Sequence, residues 1–449
     1  MQKESFALSG LTFGIETLGC KVNQYESSFF IEAMKGAGCR NVPFRDRADI
    51  YIVHSCAVTA KAGFQTRQLL RRAQRTNPAA LVVAAGCYAQ LEGDRIARER
   101  LATHILGNPG KFDLITWLGE AGSFASPCRQ TGRGVHGIPE FEMLPIACMH
   151  TGRTRAMLKI QDGCDSFCSY CVVPLVRGRS RSLPEEKVFA QMERLVDAGY
   201  EEIVVTGIHL GQWGRDLEHG LTLSGLLRGM GMRRHPPRVR LSSLEPMEID
   251  RRLLGVLAES PWICQHFHIP LQSGDSEILR SMRRPYTPEQ YSDLVTQIHG
   301  AFPEAAIGAD VLTGFPGEAE SQFANTVDLL ERLPVSYLHV FPFSARPGTP
   351  AAKLRGQIRG PELRHRAQIL QELGRRKRRE FRDRFLGQCV EVLIETRREE
   401  ELWEGFSGNY INVLVRDENN GLRPGARLRV KVTGFRGENL EGKPVSGPL

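Results

Sequence analysis

The sequence predicts an α/β protein built of three successive parts, and three patterns along the chain carry this prediction. Short β-branched runs alternate with helical patterns from about residue 11 to residue 120. Six further strand-like runs follow, each separated from the next by a segment of helix length. Four short strands with turn signals between them occupy the last part of the chain.

Length and composition set the broad class. The chain has 449 residues, of which 41% are hydrophobic, and this is enough for roughly three domains of about 150 residues each. It contains no run of about 18 apolar residues, and its first residues lack the apolar core of a secretory signal. We therefore expect a soluble cytoplasmic protein that makes no contact with membranes.

Cysteine content and charge point to metal chemistry and to a polyanionic partner. The cytoplasm keeps thiols reduced, so the eleven cysteines suggest metal ligation wherever they cluster and simple burial elsewhere. The net charge is +8, and the basic residues are concentrated near the carboxyl end. Such a patch favours binding to nucleic acid.

The first part, residues 11–120, has the alternation of a doubly wound α/β domain. Its strand-like runs TFGIETLGC, ADIYIVHSC and ALVVAAGC end in Cys20, Cys56 and Cys87. Ligands of open parallel sheets collect at the carboxyl ends of the strands, so one site could gather all three thiols. The spacing alone also allows three buried packing cysteines.

Residues 121–150 are rich in Gly, Ser and Pro and predict a linker. The second part, residues 151–387, predicts a partial (β/α)6 barrel, because six strand candidates alternate with helical segments. The candidates are RAMLKIQDGC, EEIVVTGIHLG, RVRLSSLEP, HFHIPLQSG, AAIGADVLTGF and SYLHVFPFS.

The third part, residues 388–449, predicts a small antiparallel β-barrel. Its four strand candidates are CVEVLIE, LWEGFSG, YINVLVRD and RLRVKVTGF. A strongly basic helical segment, residues 353–387, precedes it.

The sharpest local signal is the spacing C-x-x-x-C-x-x-C formed by Cys164, Cys168 and Cys171 just after a predicted strand. Three thiolates on one loop can hold three irons of a 4Fe-4S cube and leave the fourth iron open. An open iron can bind S-adenosylmethionine (SAM) and pass an electron into its sulfonium. A structural zinc loop with His150 or another cysteine as fourth ligand is the alternative, although zinc more often uses paired C-x-x-C knuckles.

This triplet, with Tyr170 before its last cysteine, resembles the radical SAM motif. TLGCKVNQYES, HSCAVT and AAGCYAQ, followed by HIPLQSG, DVLTGFPGE and FPFSARPGTPA, resemble the methylthiotransferase family across nearly the whole chain. Within that family, TLGCKVNQYES is similar to the branch that acts on N6-threonylcarbamoyladenosine at tRNA position 37. The branches acting on isopentenyladenosine in tRNA or on a ribosomal protein side chain remain alternatives, as does an RNA-binding module merely stapled by iron-sulfur clusters or zinc.

The resemblance implies two 4Fe-4S clusters, with Cys20, Cys56 and Cys87 as ligands of an auxiliary cluster. Cys164, Cys168 and Cys171 would then hold the SAM-cleaving cluster. It also implies SAM as cofactor, the tRNA anticodon stem-loop as substrate, an electron donor of flavodoxin or ferredoxin type, and a terminal RNA-binding barrel of the TRAM kind. No catalytic residue is assigned beyond the cluster ligands. The remaining cysteines match no ligand motif and are interpreted as packing or linker residues: Cys39, Cys128, Cys148, Cys264 and Cys389.

Polar residues just after the barrel strands are candidates for the SAM pocket, because barrel sites lie at the carboxyl ends of strands. A carboxylate such as Glu245 suits the ribose hydroxyls or the ammonium group of SAM, although closing a loop is an equally good interpretation. The candidates are Thr206, Gly207, His209, Ser243, Glu245, Gln272 and Ser273.

Two basic clusters are candidates for RNA binding, with a solvated helix face as the alternative. Aromatic residues of the terminal barrel, such as Trp403, Phe406 and Tyr410, could stack on bases, but we expect at least one to pack in the core. Arg177, Arg179 and Arg181 closely follow the radical SAM triplet and could guide substrate or SAM. The basic candidates are Arg67, Arg71 and Arg75 on one predicted helix face, and Arg375, Arg376, Lys377, Arg378 and Arg379 further on.

Overall fold

The computed structural model describes residues 8–119, 129–131, 135, 141, 154–233, 236–417 and 421–445. Most of the predicted linker therefore lies outside the described residues. Contacts group the chain into two compact units. Unit 1 comprises residues 1–151, 161–183 and 344–353, and unit 2 comprises residues 152–160, 184–343 and 354–449. The division of the chain at residues 120, 150 and 387 stays a prediction.

Strands and helices alternate along most of the described chain, with short 3-10 turns at Lys111–Asp113, Leu210–Gln212, Glu218–Gly220, Pro246–Glu248 and Pro350–Lys353. The strands are β1 Thr12–Thr17, β2 Arg40–Asn41, β3 Ile50–Ser55, β4 Leu81–Gly86, β5 His104–Leu106, β6 Arg129–Thr131, β7 Arg155–Lys159, β8 Gln161–Asp162, β9 Arg181–Ser182, β10 Glu202–Thr206, β11 Arg238–Leu241, β12 His266–His268, β13 Ala306–Thr313, β14 Tyr337–Pro342, β15 Cys389–Glu399, β16 Leu402–Ser407, β17 Asn412–Arg416, β18 Arg427–Arg436 and β19 Asn439–Pro444. The α-helices are α1 Lys21–Gly36, α2 Ala60–Thr76, α3 Cys87–Arg98, α4 Leu114–Gly119, α5 Val173–Arg177, α6 Glu185–Asp197, α7 Leu223–Gly231, α8 Arg251–Glu259, α9 Ser276–Ser281, α10 Pro288–Ala301, α11 Glu320–Arg332 and α12 Pro361–Asp383.

The sheet of unit 1 is parallel, with strand order β2-β1-β3-β4-β5-β6. β3 and β4 are buried on both faces, which is why their sequences are nearly continuous apolar runs. Ile50 and Ile52 pack in one core with α1 and α4, whereas Tyr51 and Val53 pack in another with α2 and α3. Helices cover both faces, so the predicted doubly wound architecture is confirmed.

The strand order of this sheet reverses beside β1. The chain leaves β1 through α1 to reach β2 on one side, and then returns to form β3 on the other side of β1. At such a switch point the loops after two neighbouring strands diverge to opposite faces and leave a crevice. Cys20 directly precedes α1 and Cys56 directly follows β3, so both lie at this crevice.

All six strand candidates of the second part form strands, and their spatial order follows the chain. β7, β10 and β11 form one parallel sheet, and β12, β13 and β14 form another. A parallel bridge between Val239 and Ile263 joins the two. Helices fill the connections, as parallel pairing requires, and several begin at residues that the sequence marks as caps. Thr287, for example, forms a capping box with Gln290 at the start of α10. The predicted six-strand partial barrel is confirmed.

The end of the chain forms a closed barrel of five described strands in the order β15-β16-β17-β19-β18. Val392, Ile394 and Val413 lie in its core together with Trp403. The β17–β19 pair is parallel, so the barrel is not wholly antiparallel as the sequence predicts. The fifth strand, NLEGKP, escapes pattern analysis because it lacks apolar alternation. Gly442 allows its close approach, since a Cβ there would lie 2.6 Å from the Lys431 carbonyl oxygen.

The basic segment before the barrel forms α12, a helix of 23 residues. Leu370, Leu373 and Phe381 are buried, together with Arg366, and arginines are frequent among the exposed residues. Among the described residues, no helix combines the length and the apolar character needed to cross a bilayer.

Candidate metal centres

The first triplet, Cys20, Cys56 and Cys87, lies at the carboxyl ends of three adjacent parallel strands of unit 1. Cys20 is the residue before α1, Cys56 follows β3, and Cys87 opens α3 directly after β4. Cys20 is exposed, whereas Cys56 and Cys87 are buried. The fold therefore brings together three thiols that are distant in sequence, because parallel strands place their ends at one edge of the sheet.

Close packing around Gly19 allows the loop after β1 to contact the loop after β3. A Cβ on Gly19 would lie 2.7 Å from Cβ and 3.0 Å from Sγ of Cys56, and the backbone there has φ +107°. The Asn23 amide donates to the Leu18 carbonyl at 2.8 Å and to the Ser55 carbonyl at 3.1 Å. These bonds tie the loop after β1 to the end of β3.

The surroundings of Cys20 and Cys56 favour neutral thiols unless a cation is bound. Burial raises the pKa of Cys56 to about 12, and it also raises that of Cys20, which is exposed on one side but otherwise surrounded by protein. Cys87 follows the neighbouring strand, and a charge on its sulfur would add to both shifts. Metal ligation needs thiolates, and a bound metal supplies the missing positive charge. Three adjacent free thiols in such a crevice fit an iron-sulfur cluster.

Replacing Gly19 with alanine is expected to lower the iron content of the reconstituted protein. The new Cβ cannot coexist with Cys56 at 2.7 Å, so the loop carrying Cys20 or Cys56 must shift. Gly10→Ala is the matched control, because Gly10 also has positive φ (+87°) and has nothing within 4 Å of the added Cβ. Both variants bear a backbone cost of about 1–2 kcal/mol. Iron and sulfide assays check the difference, and equal iron in both variants would contradict the predicted role of the close contact.

The second triplet, Cys164, Cys168 and Cys171, lies between β8 and α5 in unit 1. Cys168 is buried and the other two are half-buried. Phe167 adopts the left-handed conformation (φ +46°), and the Cys171 amide donates to the Cys168 carbonyl at 3.0 Å, so the loop turns back on itself. Gly163 permits this path, because a Cβ there would lie 1.8 Å from the Arg179 carbonyl oxygen. Three thiols on one tight loop fit a cluster with one open iron.

The zinc alternative proposed His150 as a fourth ligand, and this residue lies outside the described residues, as do Cys128 and Cys148. Of the other cysteines interpreted as packing residues, Cys39 and Cys264 are buried and Cys389 is exposed. None of these three belongs to either triplet.

A buried polar network next to the first triplet was not found by sequence reasoning. Glu26 on α1 is fully buried, and it accepts from Lys111 Nζ at 2.6 Å and from Arg177 at 3.0 and 3.1 Å. Lys111 also donates to the Asn108 side chain at 2.8 Å. The Asn108 amide in turn lies 3.6 Å from the Cys87 sulfur. TLGCKVNQYES contains Glu26, but nothing in the sequence revealed its partners.

The predicted role of Arg177 as a guide for substrate or SAM is wrong, because its side chain is buried and bonded to other residues of the protein. It is 1% exposed, and it donates to Asp162 at 2.9 Å and to Asn23 at 2.7 Å as well as to Glu26. Burial opposes its charge, but Asp162, Cys87 and Glu26 raise its pKa well above the ordinary value. Arg179 is exposed and pairs with Asp165 at 3.0 Å, and Arg181 donates to the backbone carbonyls of Arg177 and Arg179.

The SAM-pocket candidates lie on the loops after β10, β11 and β12 in unit 2. Two side-chain contacts connect these loops: His209 Nε2 lies 2.6 Å from a Glu248 carboxylate oxygen, and Glu245 forms an ion pair with Arg284. The Glu245 carboxylate therefore joins the loops after β11 and β12, and its contact with SAM stays a prediction. Thr206 is buried at the end of β10, Gly207 and Gln272 are half-buried, and Ser243 is exposed. Gln272 also has positive φ (+66°).

The prediction that Ser273 contacts SAM is wrong. Its side chain is fully buried, and its hydroxyl lies 3.3 Å from Thr326 Oγ1 and accepts from the Asp275 amide. It therefore orders the turn before α9. Sequence reasoning did not find a cluster of three side chains on β12, β13 and β14. Asp310 bonds His268 at 2.7 Å and lies 3.3 Å from His339. The two histidines hold the pKa of Asp310 far below its usual range despite burial.

The basic residues of α2 do not form one free face as predicted. Arg67 is turned toward the Gly63 carbonyl and the Tyr88 hydroxyl, and Arg71 pairs with Glu99 at 2.8 Å. Arg75 is exposed, as is Arg72, which the sequence analysis did not select. A groove of about 590 Å³ runs along this helix, lined by Glu16, Leu18, Phe64, Gln65, Gln68, Leu69, Arg71, Arg72 and Arg75.

In the basic run on α12, the prediction of RNA binding is wrong for Lys377. Lys377 is buried, and its Nζ donates to the carbonyls of Glu331 at 3.0 Å and Leu333 at 2.8 Å, so it holds the end of α11 rather than RNA. Arg375, Arg376, Arg378 and Arg379 line a second groove in unit 2, together with Arg382, Gly437 and Glu438. Trp403 is in the barrel core as expected, and Phe406 and Tyr410 stack on each other with ring centroids 5.2 Å apart.

Comparison with known proteins gives the family. Residues 12–107 match the uncharacterized protein family UPF0004, and residues 158–330 match the radical SAM superfamily. The threonylcarbamoyladenosine tRNA methylthiotransferase MtaB of Bacillus subtilis is 34% identical over 432 residues, 94% of each chain. MtaB of Thermotoga maritima is 33% identical over 446 residues, 97% of this chain and 100% of the relative. A tRNA-2-methylthio-N(6)-dimethylallyladenosine synthase of Pelotomaculum thermopropionicum is 30% identical over 436 residues, 96% of this chain and 97% of the relative.

Among solved structures, the fold is similar to that of the radical S-adenosylmethionine methyltransferase TsrM from Kitasatospora setae. The TM-score is 0.54 at 17% identity, and the match covers 76% of this chain and 75% of that chain. This likeness concerns the fold alone. The matched family models and the relatives aligned over nearly the full length together show that the chain belongs to the MtaB-type family of radical SAM methylthiotransferases.

Proposed function

We propose that the protein adds a methylthio group to C2 of N6-threonylcarbamoyladenosine at position 37 of tRNA. The observation that supports this most is the presence of two separate three-cysteine sets in one compact unit. Membership of the radical SAM superfamily implies one 4Fe-4S cluster and SAM. The second cluster, on the first triplet, belongs to the proposal, as do action in the cytoplasm and an electron donor of flavodoxin or ferredoxin type.

The chemistry explains the need for two sets. C2 of adenine has neither an acidic proton nor a leaving group, so acid-base catalysis cannot replace its hydrogen with sulfur. When bound, the clusters would supply the electron that cleaves SAM and the sulfur that is transferred. The chain itself contributes the thiols and the Asn23 and Asn108 amides that hold the loops of the first triplet.

Nucleoside analysis tests the proposed substrate. Anaerobically reconstituted protein is incubated with SAM, a reductant and tRNA carrying either threonylcarbamoyladenosine or isopentenyladenosine, and the digested nucleosides are examined by mass spectrometry. We expect the methylthio derivative of threonylcarbamoyladenosine alone. Product from the isopentenyl substrate alone, or product on a ribosomal protein alone, would assign the enzyme to another branch. Absence of SAM cleavage would instead favour the RNA-binding module.

We also propose that the α2 groove contacts the tRNA anticodon stem-loop. Phe64 is 51% exposed and offers a ring on which a base can stack. The exposed cations Arg72 and Arg75 line the same groove and can bind phosphates. Leu18, next to the loop of Cys20, lines the same groove. Bound RNA would therefore lie beside the first triplet.

The double variant Arg72→Gln/Arg75→Gln is expected to weaken tRNA binding and to flatten its salt dependence. Each lost phosphate contact lowers the slope of log K against log salt by about 0.7–0.9. Anisotropy titrations of a labelled anticodon stem-loop at several salt concentrations give this slope. Arg45→Gln, an exposed arginine outside the groove, is the control. A slope unchanged by the double variant would place RNA elsewhere.

A further inference from the structure

One buried arginine connects the loops of the two triplets. Arg177 belongs to α5, directly after the second triplet, and it bonds both oxygens of Asp162 in β8, directly before that triplet. It also bonds both oxygens of Glu26 and the side-chain oxygen of Asn23 on α1, the helix that starts beside the first triplet. Every residue named lies in unit 1. The guanidinium of Arg177 therefore connects the loop of the second triplet to the helix that begins at the first triplet.

Three buried cations and two buried carboxylates meet at this junction. Arg177, Lys111 and Arg181 carry positive charge, and Glu26 and Asp162 carry negative charge. His54 lies 3.4 Å from Glu26. Ion pairs buried to this degree gain little net stability over an apolar core, so stability alone explains the arrangement poorly.

The charge of Arg177 also reaches the first triplet. Asn23 bonds Arg177 at 2.7 Å, and its side-chain oxygen lies 3.9 Å from the Cys20 sulfur. Asn108, which contacts the Cys87 sulfur, also donates to the carbonyl of Val176, the residue before Arg177.

We propose that Arg177 is a positioning residue that holds the first triplet in register with the second and raises the reduction potential of the cluster bound to the first triplet. This inference rests on the proposed function, because it requires a cluster there. A reduced cluster carries one more negative charge than an oxidised one, so a nearby buried cation stabilises it. The planar guanidinium of arginine also fixes the position of one ligand loop relative to the other, because it bonds residues beside both loops. The flexible ammonium group of lysine cannot form the same set of bonds.

The test isolates the first cluster by replacing Cys164, Cys168 and Cys171 with alanine. Into this background we introduce Arg177→Met/Asp162→Asn, which removes one buried charge of each sign. Glu26 keeps its pair with Lys111, and Arg181 keeps its bonds to two backbone carbonyls. Redox titration followed by EPR should give a midpoint potential lower than that of the background protein. The matched control is Arg179→Met/Asp165→Asn, which removes an ion pair in the same loop whose arginine is exposed, and it should leave the potential unchanged.

A second variant separates charge from geometry. Arg177→Lys keeps the charge but not the full set of bonds, so the potential should stay near that of the background while a chelator removes iron faster. A potential that the double variant does not move, or that the control moves equally, would overturn the inference. Failure of the background protein to bind iron would instead refute the second cluster of the proposed function.

Discussion

Alanine at all three positions of the first triplet should abolish methylthio product while leaving reductive SAM cleavage intact. The variant should lose about half of the reconstituted iron, because each triplet is proposed to hold one 4Fe-4S cluster. Alanine at all three positions of the second triplet should also lose about half of the iron, but it should lose SAM cleavage as well. The measurements are iron and sulfide content, 5'-deoxyadenosine formation, and mass spectrometry of tRNA nucleosides.

Two other buried cysteines provide controls for the effect of removing thiols. Cys39→Ala and Cys264→Ala delete buried sulfurs that belong to neither triplet, so both variants should keep full iron content and product formation. Full iron in the first-triplet variant would contradict the proposed second cluster. Product formation by that variant would show that the transferred sulfur comes from elsewhere.

Replacing Glu202 with glutamine is expected to destabilise unit 2 by about 3–5 kcal/mol, the cost of leaving buried charges without a partner. Glu202 on β10 is fully buried, and its carboxylate accepts from Arg238 at 2.6 Å and from Arg240 at 2.8 Å. Arg240 also donates to the carbonyls of Ser407 and Gly408, so the same cluster joins the partial barrel to the terminal barrel within unit 2.

Denaturant unfolding in a Trp117→Phe background measures this effect, because the other three of the four tryptophans lie in unit 2. Burial raises the pKa of Glu202, but Arg240 and Arg238 outweigh it and hold the pKa below its ordinary value. The stabilisation is therefore complete above the unfolded-state pKa of about 4.3 and is lost as pH falls toward the folded-state pKa. The difference in the free energy of unfolding between wild type and Glu202→Gln should become smaller over that pH range.

Glu391→Gln is the control for this prediction. Glu391 accepts from Arg238 at 2.9 Å, but its side chain is 38% exposed, so its loss should cost about 0–1 kcal/mol. An equal loss in the two variants would show that burial of Glu202 does not set its contribution.

Much of the fold could be predicted because apolar periodicity reports directly on strands and helices. The runs that became β3 and β4 and the six strands of the partial barrel were all visible as patterns. β19 was not, because its sequence contains Gly and Pro instead of alternating apolar residues, and its place follows from β17 and β18. Its parallel pairing with β17 is a consequence of barrel closure.

The candidate sites divide in the same way. The second triplet is local in sequence, so spacing alone identified it, whereas the first triplet could be grouped only through strand ends and family resemblance. Lys377 was assigned to RNA binding because its neighbours in sequence are basic, and Ser273 was assigned to the SAM pocket because it follows a strand. Both are buried: Lys377 donates to the Leu333 carbonyl, and Ser273 contacts Thr326 of α11. Residue type and spacing do not reveal which way a side chain faces.

The sequence by itself determined the order of strands and helices, the local cysteine loop and the family. Only the tertiary structure decided that Glu26, Asp162 and Arg177 meet, and that Glu202 joins two arginines. The physical reason is that a pattern of apolar residues records burial along one strand or helix. The pairing of buried charges depends instead on which strands and helices become neighbours, and residues far apart in the chain carry no sign of it.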